Sequence, residues 1–358
     1  MKANTSAFII GILLFSAALF SNSYIRASYA SPTLDTQKLI AWLQSNQNAD
    51  GGWGYIPGES SHIGATAAAV DALHMLGVNP LNPQGAIQFE RGLQNPDGGF
   101  VDPYIGGGSH IAGTWAALLA LTDLGSMPAN LQGAIDFVVQ CGRSDGSFTH
   151  YPGATAQYPV ENTLHGVDTL RMLGSLESID RSATINWLLA LESPEGGFYN
   201  VYFSSRYGPN TDSTYFAVQA LAYLSSGPVD AQKTVEYIRS LENPEGSYSF
   251  DVWKSKTDIG TTAQALLILR LLGAQSLHPA RTITYLASTQ NADGGFAYVP
   301  GDVSRVDSSW LAVLAVQALK VVAKIDIKPG SYPNSINLGS KGVVPVAVIY
   351  CYSSVPST

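Results

Sequence analysis

The chain reads as an all-α repeat protein, six helix hairpins closing on themselves into a double ring. Three observations predict this: a glycine corner recurs at a fixed period, two unlike helical patterns alternate around it, and the first and last corners are its best copies. A period of this size marks a repeat architecture.

The corner begins as Gln47-Asn48-Ala49-Asp50-Gly51-Gly52-Trp53. It returns as Gln94-Asn95-Pro96-Asp97-Gly98-Gly99-Phe100 and Gln290-Asn291-Ala292-Asp293-Gly294-Gly295-Phe296. Reduced copies lie at Asp145-Gly146-Ser147-Phe148, Glu195-Gly196-Gly197-Phe198 and Glu245-Gly246-Ser247-Tyr248. A helix ends at the Gln, glycine supplies the left-handed conformation a turn needs, and Asp bonds its own backbone. The aromatic residue anchors the corner in apolar surroundings. Six copies point to a structural role, and a positive φ at Gly52, Gly99 and Gly295 would bar a β-branched residue there.

Residues 1–30 precede the repeats. Lys2 followed by the apolar run Ala7–Phe20 and the small-x-small site Ser28-Tyr29-Ala30 reads as a secretory signal peptide, with an uncleaved N-terminal anchor as the alternative. The protein is therefore expected outside the cytoplasm, with no stable membrane span after cleavage. The formal charge is −8, and losing Lys2 and Arg26 with no acid takes it to −10. Such a chain is a poor nucleic-acid partner. Cys141 and Cys351 make neither a disulfide framework nor a metal cluster.

The outer pattern occupies Thr36–Gln47, Gly85–Gln94, Gln132–Cys141, Arg181–Leu191, Ala231–Leu241 and Ala280–Gln290, with bulky apolar residues on one face only. The inner pattern occupies Ile63–Leu76, Ile111–Leu124, Glu161–Leu173, Asp212–Leu224, Asp258–Leu272 and Asp307–Val321. It is apolar nearly all round and rich in small residues, as in Thr66-Ala67-Ala68-Ala69-Val70, which predicts burial or a face on an apolar cavity. One hairpin cannot cover its own apolar face, so the units stack. Returns such as Asn79-Pro80-Leu81-Asn82-Pro83 link them, and residues 31–323 form the repeat domain. Residues 324–358, with Ile325-Asp326-Ile327 and Val343-Val344-Pro345-Val346, alternate like short strands and form an incomplete β-type tail.

Long variable loops join each corner to its inner helix, where function sits on a rigid scaffold. Trp42-Leu43, Gln47 and Gly51-Gly52-Trp53 resemble the Gln–Trp motif of squalene and hopene cyclases. Gly52-Trp53-Gly54-Tyr55-Ile56-Pro57-Gly58-Glu59-Ser60-Ser61-His62 resembles a repeat of the protein prenyltransferase β subunits. The resemblance covers residues 34–322 and implies an α6/α6 toroid with a central, largely apolar cavity. Its segment beyond Lys324 resembles one appended to many secreted prokaryotic proteins.

The resemblance also implies chemistry that the residues do not match. At the prenyltransferase Asp-x-Cys, Asp212-Ser213-Thr214 has Thr for the thiolate ligand; at the later His, the last repeat has Asp307-Ser308-Ser309-Trp310. No zinc and no cofactor is expected. The Asp-rich acid motif of the cyclases is not found, nor is the thioester motif of complement-type toroids. His62 matches a His that contacts diphosphate in prenyltransferases.

The candidate ligand-binding residues are His62, His110, Glu161, Asp212, Asp258 and Asp307, where the inner helices begin. N-capping is the structural alternative for Asp212, Asp258 and Asp307. Arg206 and Arg305 are the loop cations after a corner. The expected function is binding of an apolar, isoprenoid-like or elongated ligand in the central cavity, without zinc. One alternative is an active prenyltransferase- or cyclase-like enzyme. Another is a polysaccharide-active toroid using Glu161 with Asp307 or Asp212 with Asp258, and Tyr55, Tyr104, Tyr151 and Tyr199 as sugar platforms. The partner is thus an apolar small molecule or a glycan, with no prenyltransferase α subunit.

Overall fold

A computed structural model describes residues 34–320, apart from 104–105, 156–158 and 203–204. The expected signal peptide (1–30) and the tail (324–358) lie outside the described residues. The outer helices are α1 (Thr36–Ser45), α3 (Pro83–Gly92), α5 (Leu131–Cys141), α7 (Arg181–Leu189), α9 (Ala231–Ser240) and α11 (Pro279–Ser288). The inner helices are α2 (Ile63–Met75), α4 (Ile111–Asp123), α6 (Pro159–Met172), α8 (Thr211–Tyr223), α10 (Ile259–Leu271) and α12 (Val306–Lys320). The loop after the fourth corner forms a hairpin, β1 (Tyr199–Tyr202) with β2 (Ser205–Pro209), where sequence alone suggested irregular chain.

The inner helices form a closed ring: each packs on the next, and α12 packs on α2. Each outer helix lies against the inner helix of its own repeat. Polar bonds seal the seam. The Asp35 N–H donates to Gln290 Oε1 (2.8 Å), Trp42 Nε1 to Asp293 Oδ2 (3.1 Å), and the Val306 N–H to the Tyr55 carbonyl (2.9 Å). This is the same joint used between successive repeats. Gln47 Nε2 donates to the carbonyls of Gly51 and Asn82 while its Oε1 accepts from the Asn82 N–H, and Gln94 does likewise with Gly98 and Asn130. The corner Gln therefore clamps the cap of the next outer helix. Repeat six can treat repeat one as that next unit, which is why the ring closes.

The structure relocates the conformational demand of the corner. The left-handed residue is the first glycine of each pair, with φ of +95° at Gly51, +90° at Gly98 and +102° at Gly294, and not Gly52, Gly99 or Gly295. The Asp carboxylate explains this, since Asp50 Oδ1 takes the Gly52 N–H (3.0 Å) and turns the chain at the residue between. Every corner aromatic is buried: Trp53, Phe100, Phe148, Phe198, Tyr248 and Phe296. A hydroxyl in the first turns of the inner helix, on its fourth residue or in α6 its fifth, holds the aromatic's backbone. The N–H of Trp53 donates to Thr66 Oγ1, and equivalent bonds join Phe100 to Thr114, Phe148 to Thr163, Phe198 to Thr214, Tyr248 to Thr262 and Phe296 to Ser309. The inner helices thus all start at one rim.

One core position breaks the pattern. Superposing the repeats by their corners puts Leu43, Val138, Leu188, Ile238 and Leu286 at a single inward site of the outer helices, all buried. In α3 that site is Glu90, also buried, with neither carboxylate oxygen hydrogen-bonded. Burial first, and Asp102 second, push its carboxyl well above the usual range, towards the protonated form. An unsatisfied buried polar group costs roughly 1–3 kcal/mol. Glu90→Leu is therefore expected to raise the unfolding free energy by about that amount at pH 7, read by chemical denaturation. No gain would mean that Glu90 has a compensating partner.

Candidate ligand site at the mouth of the ring

The rim is assembled by a second repeating bond. The first N–H of an inner helix donates to the carbonyl two residues beyond the next repeat's corner aromatic: Ile111 to His150 (2.8 Å), Thr211 to Phe250 (2.8 Å) and Ile259 to Tyr298 (2.9 Å). This stacks side chains of neighbouring repeats around the mouth. His150 lies on His110 with ring centroids 4.9 Å apart, Tyr55 reaches Arg305, and Asp102 lies 3.6 Å from His62.

The six candidate residues all lie at this rim, but they do not converge on one point. His62, His110 and Asp258 are the N-cap residues of α2, α4 and α10. His110 Nδ1 accepts from the Gly113 N–H (2.9 Å), and Asp258 makes a full capping box with Thr261 while holding Lys256 (2.8 Å). Asp212 and Asp307 are not caps. Asn210 takes that place on α8, and Asp307, in the first turn of α12, accepts a bidentate pair from Arg305 (2.8 and 2.9 Å) and the Tyr298 hydroxyl (3.2 Å). Glu161 and Asp212 occupy the first turns of adjacent helices. Burial, then Asp212, push the Glu161 carboxyl up to about 8. It therefore holds a proton at neutral pH while remaining at the mouth, the property of a general acid.

Below the rim the described residues of the inner helices are buried on nearly every face, where an open apolar cavity was expected. The space at the mouth, between Gly64, Ala67 and Ala68 of α2 and Tyr55, Trp115 and Trp310, has a volume of about 20 Å³. That admits roughly one water. Trp115 and Trp310 form the plug, and both are pinned from beneath: Trp115 Nε1 donates to Asp168 Oδ2 (2.9 Å) and Trp310 Nε1 to Asp71 Oδ2 (2.7 Å).

Those acceptors belong to a buried acid group that no local motif announces. Asp71 on α2, Asp123 on α4 and Asp168 on α6 meet under the plug. Burial raises all three, Asp71 to about 6 and Asp123 well above the usual range. Asp71 Oδ1 and Asp123 Oδ2 are each buried with no donor from elsewhere, and the two side chains bond to one another. A proton kept on Asp123 and shared with Asp71 satisfies both. Asp168 is ion-paired with Arg171 (2.7 Å).

A zinc site of the kind the resemblance implies does not fit these residues. Thr214 Oγ1 donates to the Asn210 carbonyl (2.7 Å) and accepts the Phe198 N–H (3.0 Å), the same duty its counterparts perform in the other repeats. Trp310 is committed to Asp71. Among the described residues no helix is long and apolar enough to cross a membrane. Tyr104 lies outside them.

Comparison with known proteins bears on this geometry. The sequence pattern of the prenyltransferase alpha-alpha toroid domain matches residues 13–158 and 161–333. Drimenyl diphosphate synthase of Streptomyces showdoensis is 28% identical over 186 residues, 48% of this chain and 33% of that protein. The geranylgeranyl transferase type-1 subunit beta of Arabidopsis thaliana is 25% identical over 195 residues, 48% of this chain and 52% of that one. The chain thus spans between a third and about half of the length of these curated relatives. In fold it is similar to Candida albicans protein geranylgeranyltransferase-I complexed with GGPP, at TM-score 0.59, 13% identity and coverage of 80% and 91%. It is equally similar to the type II terpene cyclase MstE of Scytonema, at TM-score 0.59, 14% identity and coverage of 81% and 96%.

Proposed function

The chain belongs to the prenyltransferase alpha-alpha toroid family, and on that premise we propose that it binds an apolar, isoprenoid-like chain at the mouth of the ring, outside the cytoplasm and without zinc. The observation that carries this is the slot itself. Gly64, Ala67 and Ala68 line it together with Tyr55, Trp115, Leu119 and Trp310, so the surface offered is mostly apolar and aromatic, with Asp307 the one charged-type residue among them. The named activities of the sequence relatives, a drimenyl diphosphate synthase and a geranylgeranyl transferase subunit, support a ligand of isoprenoid class.

Ligand pockets run to roughly 300–1,000 Å³, so the slot must open to be filled. Trp115 and Trp310 are anchored to buried carboxylates, whereas Tyr55 sits on a half-buried loop. Opening therefore moves Tyr55 with its partner Arg305, whose guanidinium lies 5.3 Å from the Tyr55 ring.

The lip differs from what a diphosphate wants. Of the rim acids only Asp307 lines it, and Arg305 is already committed to Asp307. A neutral polar end, such as an alcohol, fits these groups better. The test is calorimetric titration with geranylgeraniol and with geranylgeranyl diphosphate. The alcohol is expected to bind at least as tightly, and Ala68→Trp, which fills the slot, is expected to abolish binding while the fold persists by circular dichroism. Tighter binding of the diphosphate would reject the neutral-end reading, and unchanged binding in Ala68→Trp would reject the slot.

A further inference from the structure

Outside the axis, between the second corner and the third loop, runs a second concavity of about 590 Å³. Its lining includes Asp97, His110, Phe137, Gln140, His150 and Tyr151. It does not share a lining residue with the axial slot. We propose that this groove is a separate binding site for a neutral carbohydrate, seated on Tyr151 and fixed by the His110 imidazole.

The His110 side chain carries the argument. It is only 7% exposed, yet it lines the groove. Its Nδ1 accepts the Gly113 N–H, so that nitrogen bears no proton. The ring is neutral, because burial and then His150 lower its pKa to about 4. A neutral imidazole with a bare Nδ1 carries its proton on Nε2. That Nε2 is buried without a hydrogen-bond partner. Just behind the groove lining, under the stacked His150 ring, lies an N–H donor with no partner, and an oxygen acceptor that reached it would supply the missing hydrogen bond.

Charge selects which acceptor. Among the described residues the groove lining contains no Lys or Arg. The second imidazole, His150, is also held towards its neutral form by burial, and among the described lining residues the one acidic side chain is Asp97. A phosphate or sulfate would meet a net negative wall. A purely apolar chain would leave the His110 N–H and the Gln140 amide without partners. A sugar ring supplies hydroxyl groups as both donors and acceptors, for His110, Gln140 and Asp97. It also has an apolar face for an aromatic platform, and Tyr151 is 52% exposed and set edge-on to His150 at 6.0 Å between ring centroids. Phe137 closes the floor, buried beneath.

The experiment titrates the full chain with three neutral hexasaccharides, cellohexaose, xylohexaose and mannohexaose, by calorimetry. At least one is expected to bind. Tyr151→Ala removes the platform and is expected to weaken it about tenfold or more. His110→Asn keeps a capping acceptor for α4, as Asn210 does for α8, but removes the Nε2 donor. It is expected to weaken binding about tenfold, the 1.4 kcal/mol of a single hydrogen bond. Geranylgeraniol binding in Tyr151→Ala should match that of the wild type, so failure at the groove is read separately from failure at the mouth. The proposal is overturned if none of the three sugars binds at millimolar concentration, if binding survives both substitutions, or if an extended Gly-Ser peptide binds where the sugars do not.

Discussion

Gly51→Ala is expected to destabilise the ring on the order of 3–5 kcal/mol, by backbone strain and overpacking together. The two contributions can be separated within one repeat. Gly51 has φ +95°, and a Cβ there would run into the backbone of Gly85 and Ala86 in the first turn of the next outer helix. Gly58 has φ +87° with nothing within 4 Å of a Cβ, so Gly58→Ala reports conformational strain alone, about 1 kcal/mol. Gly52 has no positive φ, but its Cβ would lie 2.6 Å from Ser61 Cβ, so Gly52→Ala reports crowding alone. The expected order of loss in chemical denaturation is Gly51, then Gly52, then Gly58. A Gly51 variant no worse than Gly58 would show that the corner does not depend on its contact with the following repeat.

That contact explains why the fold was legible in the sequence. The corner motif and the helix pair recur six times, and the clamp recurs as Gln47, Gln94 and Gln290 with Glu192 and Glu242 accepting in their place, so nearly every copy announces the same local physics. The inner helices fall within about two residues of their expected spans because their starts are tied to Thr66 and its counterparts. The precise glycine is hidden in the best copies, where both residues of the pair are Gly, but the reduced copies distinguish them: Ser147 and Ser247 take the second place while Gly146 and Gly246 keep the first, with positive φ. The plug at the mouth was less legible. The bulk of Trp115 and Trp310 marks them as residues able to plug the ring, but their inward aim depends on acceptors on other helices. Asp71, Asp123 and Asp168 are scattered over three repeats, so no spacing in the chain brings them together. Glu90 is different. The repeat register already set it against Leu43, Val138, Leu188, Ile238 and Leu286, and aligning the outer helices residue by residue exposes it.

The buried acids set the pH response. Stability is expected to fall as pH rises from 6.5 to 8, with Glu161 alone accounting for on the order of 2 kcal/mol. Glu90, Asp123 and Glu161 have folded-state pKa values raised by burial, Glu161 to about 8. In this window they hold protons when folded and release them when unfolded. The folded state binds more protons, so stability is full below the unfolded carboxylate pKa and is lost as pH climbs through the folded value, at about 1.4 kcal/mol per unit for each group. His110 and His165 work in the opposite direction. Burial lowers them to about 4 and about 3, so their contribution is lost only as pH drops below the ordinary histidine value of 6.5. Between 4.5 and 6.5 the two sets oppose each other, and above 6.5 the acids act alone. Urea denaturation at fixed temperature across pH 6.5–8 reads the slope directly. Glu90→Leu and Asp123→Asn should each flatten it, because each removes one proton from the folded-state count. A level or rising profile in the wild type would mean that these carboxyls are ionised in the folded ring, and would remove the shared proton assigned to Asp71 and Asp123.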